Sequence, residues 1–313
     1  MRTELRSLAY SFSQIVAPAL AGLLLRHAGL TSVLLIDIVT FLVAASTLVV
    51  TRIPRPAVSE AGAAARGRFW DEASFGFRYV FQRRGLLYLL VIMMGIHLTA
   101  ALTYFGVLPA MILARTAGDA LALASVQSAM GLAGVLGGVL VSAWGGPKRR
   151  IHGVLLGAAL SFILGDFLLG VGRSTLSWAS AGFIAEFFIP FIVTSDRAIW
   201  QSKVPPDVQG RVFAIKGMLQ TAMMPVGYLL AGPLADRVFE PAFAPGGALV
   251  GALGGLVGEG PGAGMGMMFV CTSIIGLTVS LSGYLFPAVR HIETDLPDHD
   301  AASEAATLQL EQA

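Results

Sequence analysis

Charge is what this chain has least of. Asp, Glu, Lys and Arg make up 13% of its 313 residues, against roughly 25% in an ordinary soluble domain, while apolar residues reach 55% and mean hydropathy is +0.74. That balance argues against a water-soluble fold. Cysteine is nearly absent too. The single Cys271 rules out a disulfide framework within the chain and reads as a small apolar packing residue. H-E-x-x-H, P-loop and G-x-S-x-G strings are missing, so nothing points to a zinc peptidase, a nucleotide hydrolase or a serine hydrolase. The string Gly258-Glu259-Gly260-Pro261-Gly262-Ala263 has the spacing of a dinucleotide fingerprint. It follows no strand pattern and carries a stiffening Pro, so it is set aside. No enzyme activity, no cofactor, no metal and no nucleic-acid partner is expected.

Long apolar runs are what the chain has in abundance. Eight occur, at 7–26, 30–51, 86–113, 120–144, 150–172, 175–200, 212–237 and 264–288. Each is long enough to span a membrane, since about 20 helical residues rising 1.5 Å apiece cross a hydrocarbon core of about 30 Å. The expected fold is therefore an all-α polytopic membrane protein of about eight transmembrane helices. Lys and Arg fall in alternate loops: with the N-terminus inside, 17 of the 21 lie on that face, and only Arg26, Arg115, Arg173 and Arg237 lie on the other. The positive-inside rule then puts both termini in the cytoplasm of a cell with this protein in its plasma membrane. Ala17-Pro18-Ala19 resembles a signal-peptide cleavage site, but the apolar run continues past it to Leu25.

The loops divide the chain. Residues 1–52 hold two spans, and 53–85 form a linker that is first rich in Pro and Ala and then reads FWDEASFGFRYVFQRRG. Two readings of that second half stay open: an amphipathic helix with its aromatic side in the lipid interface, or a cap packed on the bundle. Residues 86–290 hold six spans, joined tightly except for a Gly- and Pro-rich outward loop at 238–263. The stretch 291–313 has six acidic residues and no Lys or Arg, which suggests a disordered cytoplasmic tail.

Four stretches carry a family resemblance. In SQIVAPALAGLLL, Ser13, Ala17, Pro18, Ala21 and Gly22 fall where facilitator antiporters place a G-x-x-x-G-P-x-x-G-G motif in their fifth span. GGVLVSAWGGPKRR resembles the cytoplasmic G-x-x-x-D-R-x-G-R-R loop: Gly138 and Gly145 match, Lys148, Arg149 and Arg150 supply its basic end, and Ser142 and Ala143 replace its acid and first Arg. SDRAIWQSKVPPDVQGRVFAIKGM and GYLLAGPLADRVFEP resemble the tenth-to-eleventh span region. The chain thus resembles the major facilitator superfamily, within it the bacterial drug, macrolide and siderophore exporters, and corresponds to spans five to twelve of twelve. The resemblance implies proton-coupled efflux of a small amphiphilic molecule by alternating access, with the lipid bilayer, the substrate and protons as partners. The other reading is a fragment, or a membrane component without transport activity of its own. Oligomeric state is not legible.

Ionisable side chains inside spans cost about 2.5 to 3.5 kcal/mol each to insert, so they are functional candidates. There are four: Asp37, His97, Asp166 and Glu186. His97 and Glu186 lie roughly 16 Å into their spans, near the midplane, while Asp37 and Asp166 lie about 10 Å deep or less. By the resemblance, the first two occupy the cavity-lining seventh and tenth spans and the other two occupy supporting spans. Glu186 is the first choice for proton coupling or cation recognition, His97 the second, with Asp166 a further cavity candidate and Asp37 a structural polar group. A Glu merely bonded to a neighbouring helix is the competing reading. At the cytoplasmic face, Asp196-Arg197 and Asp207-Arg211, with Lys148, Arg149 and Arg150, are expected to form gating charge pairs or simply to cap helices. Pro18, Gly22 and Pro225 are expected to bend helices, and Gly131, Gly134 and Gly138, with Ser128, to offer a small-residue packing face.

Overall fold

The computed structural model describes residues 35, 36, 38–47 and 69–296. By backbone contacts the chain falls into two compact units, Met1–Ala57 and Val58–Ala313. In the first, α1 (Ile38–Thr47) is apolar, and its Thr40, Ser46 and Thr47 hydroxyls donate to carbonyls one turn earlier at 2.7–2.9 Å. This satisfies their polar groups inside the helix, as a bilayer requires. Pro18, Gly22, Asp37, the span at 7–26, the linker to residue 68 and the tail beyond 296 lie outside the described residues.

The second unit runs α2 (Phe69–Gln82), α3 (Arg84–Thr103), α4 (Val107–Arg115), α5 (Ala120–Trp144), α6 (Arg150–Val171), α7 (Thr175–Lys203), α8 (Pro206–Thr221) and α9 (Met223–Leu234). Beyond α9 come α10 (Val250–Val257), α11 (Ala263–Ser282) and the short turns α12 (Pro287–Arg290) and α13 (Ile292–Asp295). No strand occurs among the described residues. Among the described residues five runs are long and apolar enough to cross a membrane: Arg84–Arg115, which joins α3 and α4, and α5, α6, α7 and α11.

Caps explain several boundaries. Asp119 accepts from the Leu121 and Ala122 amides to start α5, and Gly145 ends it at φ 82°, a left-handed conformation that favours glycine. Ser174 and Ser177 form a reciprocal capping box on α7. The run expected at 212–237 is built differently. It begins earlier, at Pro206, whose missing N–H costs nothing in a first turn, and it breaks at Ala222, so Pro225 also falls in a first turn, that of α9. The loop expected at 238–263 contains the helix α10.

Small residues set the helix contacts, because in lipid close backbone approach replaces the hydrophobic drive. They are not the ones expected. A side chain added at Gly131, Gly134 or Gly138 would meet nothing within 4 Å, whereas one at Gly137 would collide with the Phe187 carbonyl on α7. The buried face of α5 is Ala122, Val126, Ala133, Gly137 and Val141, and the expected stripe is turned roughly 100° from it, one residue's rotation.

The linker helix α2 caps the bundle. Tyr79 and Val80 are buried in a core with Trp200, Val208 and Val212, and the Tyr79 hydroxyl donates to the Lys203 carbonyl at 3.2 Å. Burial pushes that phenol above its ordinary range, with the Arg83 guanidinium, 3.5 Å over the ring, pulling the other way. The start of the acidic tail is docked too, which corrects the disordered assignment for 291–296. The Glu293 carboxylate accepts from the Arg150 and Ile151 amides at 3.1 Å each, capping α6, and buried Lys203 donates to the Glu293 and Leu296 carbonyls. A carboxylate at a helix start and an ammonium among carbonyls are both favourable.

Two main apolar cores result, beside a smaller cluster of Phe243, Val257, Ala263 and Val270. One, at the basic end, joins α2, α3, α6, α7, α8 and the turns after α11. The other, at the Arg115 end, centres on Met111, Ile112, Trp178 and Phe269.

Candidate functional site

Between the cores lies a cavity of about 430 Å³, walled by α3, α5, α6, α7 and α9. Its apolar lining includes Met93, Ile96, Phe162, Ile189, Ile192 and Met224; its polar lining is His97, Tyr104, Gln127, Ser161, Asp166 and Glu186. Three of the four intraspan candidates therefore share one space. Among the described residues no Lys or Arg lines it, so negative charge there calls for a proton or a cationic guest.

Each polar group is held differently. The His97 Nδ1 lies 2.8 Å from the Met93 carbonyl. Because a carbonyl only accepts, Nδ1 is the donor in that contact. Ser161 donates to the Ala185 carbonyl at 3.0 Å, tying α6 to α7. Glu186 is half-buried on α7, one turn before Pro190. A proline has no N–H, so the Glu186 carbonyl loses its helical partner at the depth of its side chain.

Asp166, expected in a supporting span yet also a cavity candidate, lines the cavity; it is 1% exposed and accepts a hydrogen bond from the Tyr104 hydroxyl. The cause is the winding of α6, whose residues Ser161–Asp166 form a π-helical turn. That wider turn shifts the phase of the residues after it, and Gly165 packs against Ala185 so closely that no side chain fits. Tyr104 sits in the break between α3 and α4, its ring edge-on to Phe269 at 6.0 Å.

A second polar cluster lies at the basic end. Asp196 pairs with Lys216 of α8, not with Arg197, and also accepts from the Trp200 indole at 3.1 Å. Neighbours on a helix point about 100° apart, which is why Asp196 and exposed Arg197 do not face each other. Asp207 and Arg211 are half-buried one turn apart on α8. Lys148, Arg149 and Arg150 are exposed at the start of α6, and Arg150 donates to the Ala198 carbonyl at 3.1 Å. At the opposite end Arg115 donates to the Gly172, Val257 and Gly262 carbonyls at 2.6–3.0 Å, gathering four segments with one planar guanidinium.

The sequence profile of the Major Facilitator Superfamily matches residues 5–228. The chain belongs to that superfamily. Membership makes it a multi-pass, all-α membrane protein of a family of transporters rather than of enzymes. Macrolide efflux protein A of Streptococcus pyogenes is 26% identical over 232 residues, covering 73% of this facilitator and 56% of the relative. Macrolide efflux protein A of Enterococcus faecalis is 25% identical over 221 residues, covering 69% and 67%. This facilitator thus spans about 56% of the length of the streptococcal relative. No solved structure matches it significantly.

Sequence reasoning missed Tyr104 and Lys216. Tyr104 carried a usable signal, since Tyr-Phe-Gly interrupts an otherwise unbroken apolar run. Lys216 was counted only as one more cation of the basic face, although it falls inside the seventh apolar segment.

Proposed function

We propose that this chain forms part of a proton-coupled exporter that moves a small amphiphilic cation outward by alternating access, with the basic end in the cytoplasm. The observation that carries the reading is the cavity itself, where Glu186 and Asp166 line a largely apolar space that, among the described residues, holds no Lys or Arg and has His97 as its basic group. A cationic guest and protons compete there for the same negative charge, which is the requirement for exchanging one against the other. The apolar walls suit an amphiphile's body. Two efflux proteins among the relatives supply the direction, and the concentration of Lys and Arg at one end supplies the orientation. Asp196–Lys216, joining α7 to α8 at that end, serves as the cytoplasmic charge latch in this scheme.

The test is proton-driven uptake of a fluorescent cationic dye or a macrolide into inside-out vesicles holding the full-length protein. Glu186→Gln is expected to abolish coupling to the proton gradient while leaving guest binding measurable. Undiminished gradient-driven uptake by Glu186→Gln together with Asp166→Asn would remove these acids from the mechanism. If the full-length protein shows no uptake at all, the competing reading, a membrane component that does not transport, is favoured.

A further inference from the structure

Beyond the cavity, toward the Arg115 end, a cleft of about 570 Å³ opens between α4 and α9. Among the described residues Phe105 alone borders both spaces. They lie in series. Along α3 and α4 the cavity is lined from Met93 to Leu108 and the cleft from Phe105 to Ala110, and on α9 the cavity reaches Met224 while the cleft begins at Tyr228 and continues into the π-helical turn Ala235–Phe239 as far as Asp236. Both helices step in the same direction.

The local packing explains why the two spaces separate at this point. α3 and α9 touch at Ala101 and Gly227, where a side chain on the glycine would collide with Ala101. Beyond that contact the cleft opens between them, and the Phe105 and Tyr228 rings bridge it edge-on, 5.9 Å between centroids and 85° between planes. The neighbours of Phe105 differ in freedom. Tyr104 is pinned by Asp166 and Phe269, whereas Gly106 has open space where a side chain would be. Phe105 itself is 59% exposed and Tyr228 43%, and Phe105 lies in the non-helical stretch between Thr103 and Val107. Its ring can turn without displacing a packed core.

We infer that Phe105 is the access-determining residue between the two spaces, and that the cleft is a second compartment for the same amphiphilic cation, received from the cavity past the Phe105 ring. Two aromatic faces and the exposed Asp236 carboxylate match the guest's charge and apolar body. This rests on the transport reading above, but its test does not require transport.

The full-length protein is prepared with Cys271→Ala and a reporter cysteine, Met130→Cys, on the cavity wall. Reporter modification by a charged, membrane-impermeant methanethiosulfonate, which forms a mixed disulfide and releases methanesulfinate, is timed from each face of reconstituted vesicles. Phe105→Ala is expected to speed labelling from the Arg115 face about fivefold, the factor set by losing an aromatic pair of roughly 1 kcal/mol, and to leave the basic face unchanged. Phe105→Trp is expected to keep labelling slow. A thermal midpoint near that of the parent shows that the variant is folded, and a small permeant thiol reagent verifies that the reporter reacts. Unchanged labelling from the Arg115 face, or equal acceleration from both faces, overturns the proposal.

Discussion

The Asp196–Lys216 pair offers the sharpest energetic prediction. Its side chains are 7% and 13% exposed, so neither charge can be left to water when the other is removed. Lys216→Met strands a carboxylate whose remaining donor is the Trp200 indole. Asp196→Asn leaves an ammonium with an amide oxygen and the Trp200 ring, 5.2 Å away, but with no counter-charge. Breaking a buried pair from one side costs about 3 to 5 kcal/mol, and the surviving indole contact places both variants near 3. The double variant, with no charge stranded, should recover about 2 kcal/mol, because a neutral replacement of the whole pair is often close to harmless. At roughly 2 to 4 °C per kcal/mol for a chain of this size, each single variant should melt about 6 to 12 °C lower and the double variant between them and the parent. The assay is the thermal midpoint in one detergent at one scan rate, followed by tryptophan fluorescence. Single effects that simply add in the double variant would show that the two residues do not interact and would refute the latch.

Two further substitutions test the packing. Gly137→Ala should lower the thermal midpoint by the equivalent of about 1 to 3 kcal/mol, since the new methyl overlaps the Phe187 backbone; Gly134→Ala, with nothing nearby, should be neutral or slightly stabilising by helix propensity, both read in the same melting assay. Glu293→Ala removes the carboxylate cap from α6 and should cost about 1 kcal/mol, with faster proteolysis within 291–296 as the direct readout.

Hydropathy made the helices legible, because a bilayer core accepts few other structures and long apolar runs therefore mean helices. It is blind to phase, and the differences follow from that. The Tyr104–Gly106 break lies inside one apolar run, and the break at Ala222 divides another. Likewise α5 carries small residues on two faces, and composition does not say which one packs. The acids of the cavity were legible as types, since an ionisable group in a span needs a reason to be there. Asp166 was assigned to a supporting span on the assumption of a regular helix, whereas a π-helical turn changes the phase at which its side chain leaves α6. Lys216 and Glu293 were hidden by class: a cation near a basic face and an acid in an acidic tail look like surface charge until their partners on other helices are seen.

The central claim is that a guest and a proton share the carboxylates of one cavity, and proton release on binding measures it most directly. Purified full-length protein in weakly buffered detergent near neutral pH is mixed with a macrolide, chosen from the relatives' cargo, and followed with a pH indicator. The account predicts about one proton released per guest bound, lost in the Glu186→Gln, Asp166→Asn double variant even where guest binding persists. Guest binding to the parent protein with no proton release would contradict it.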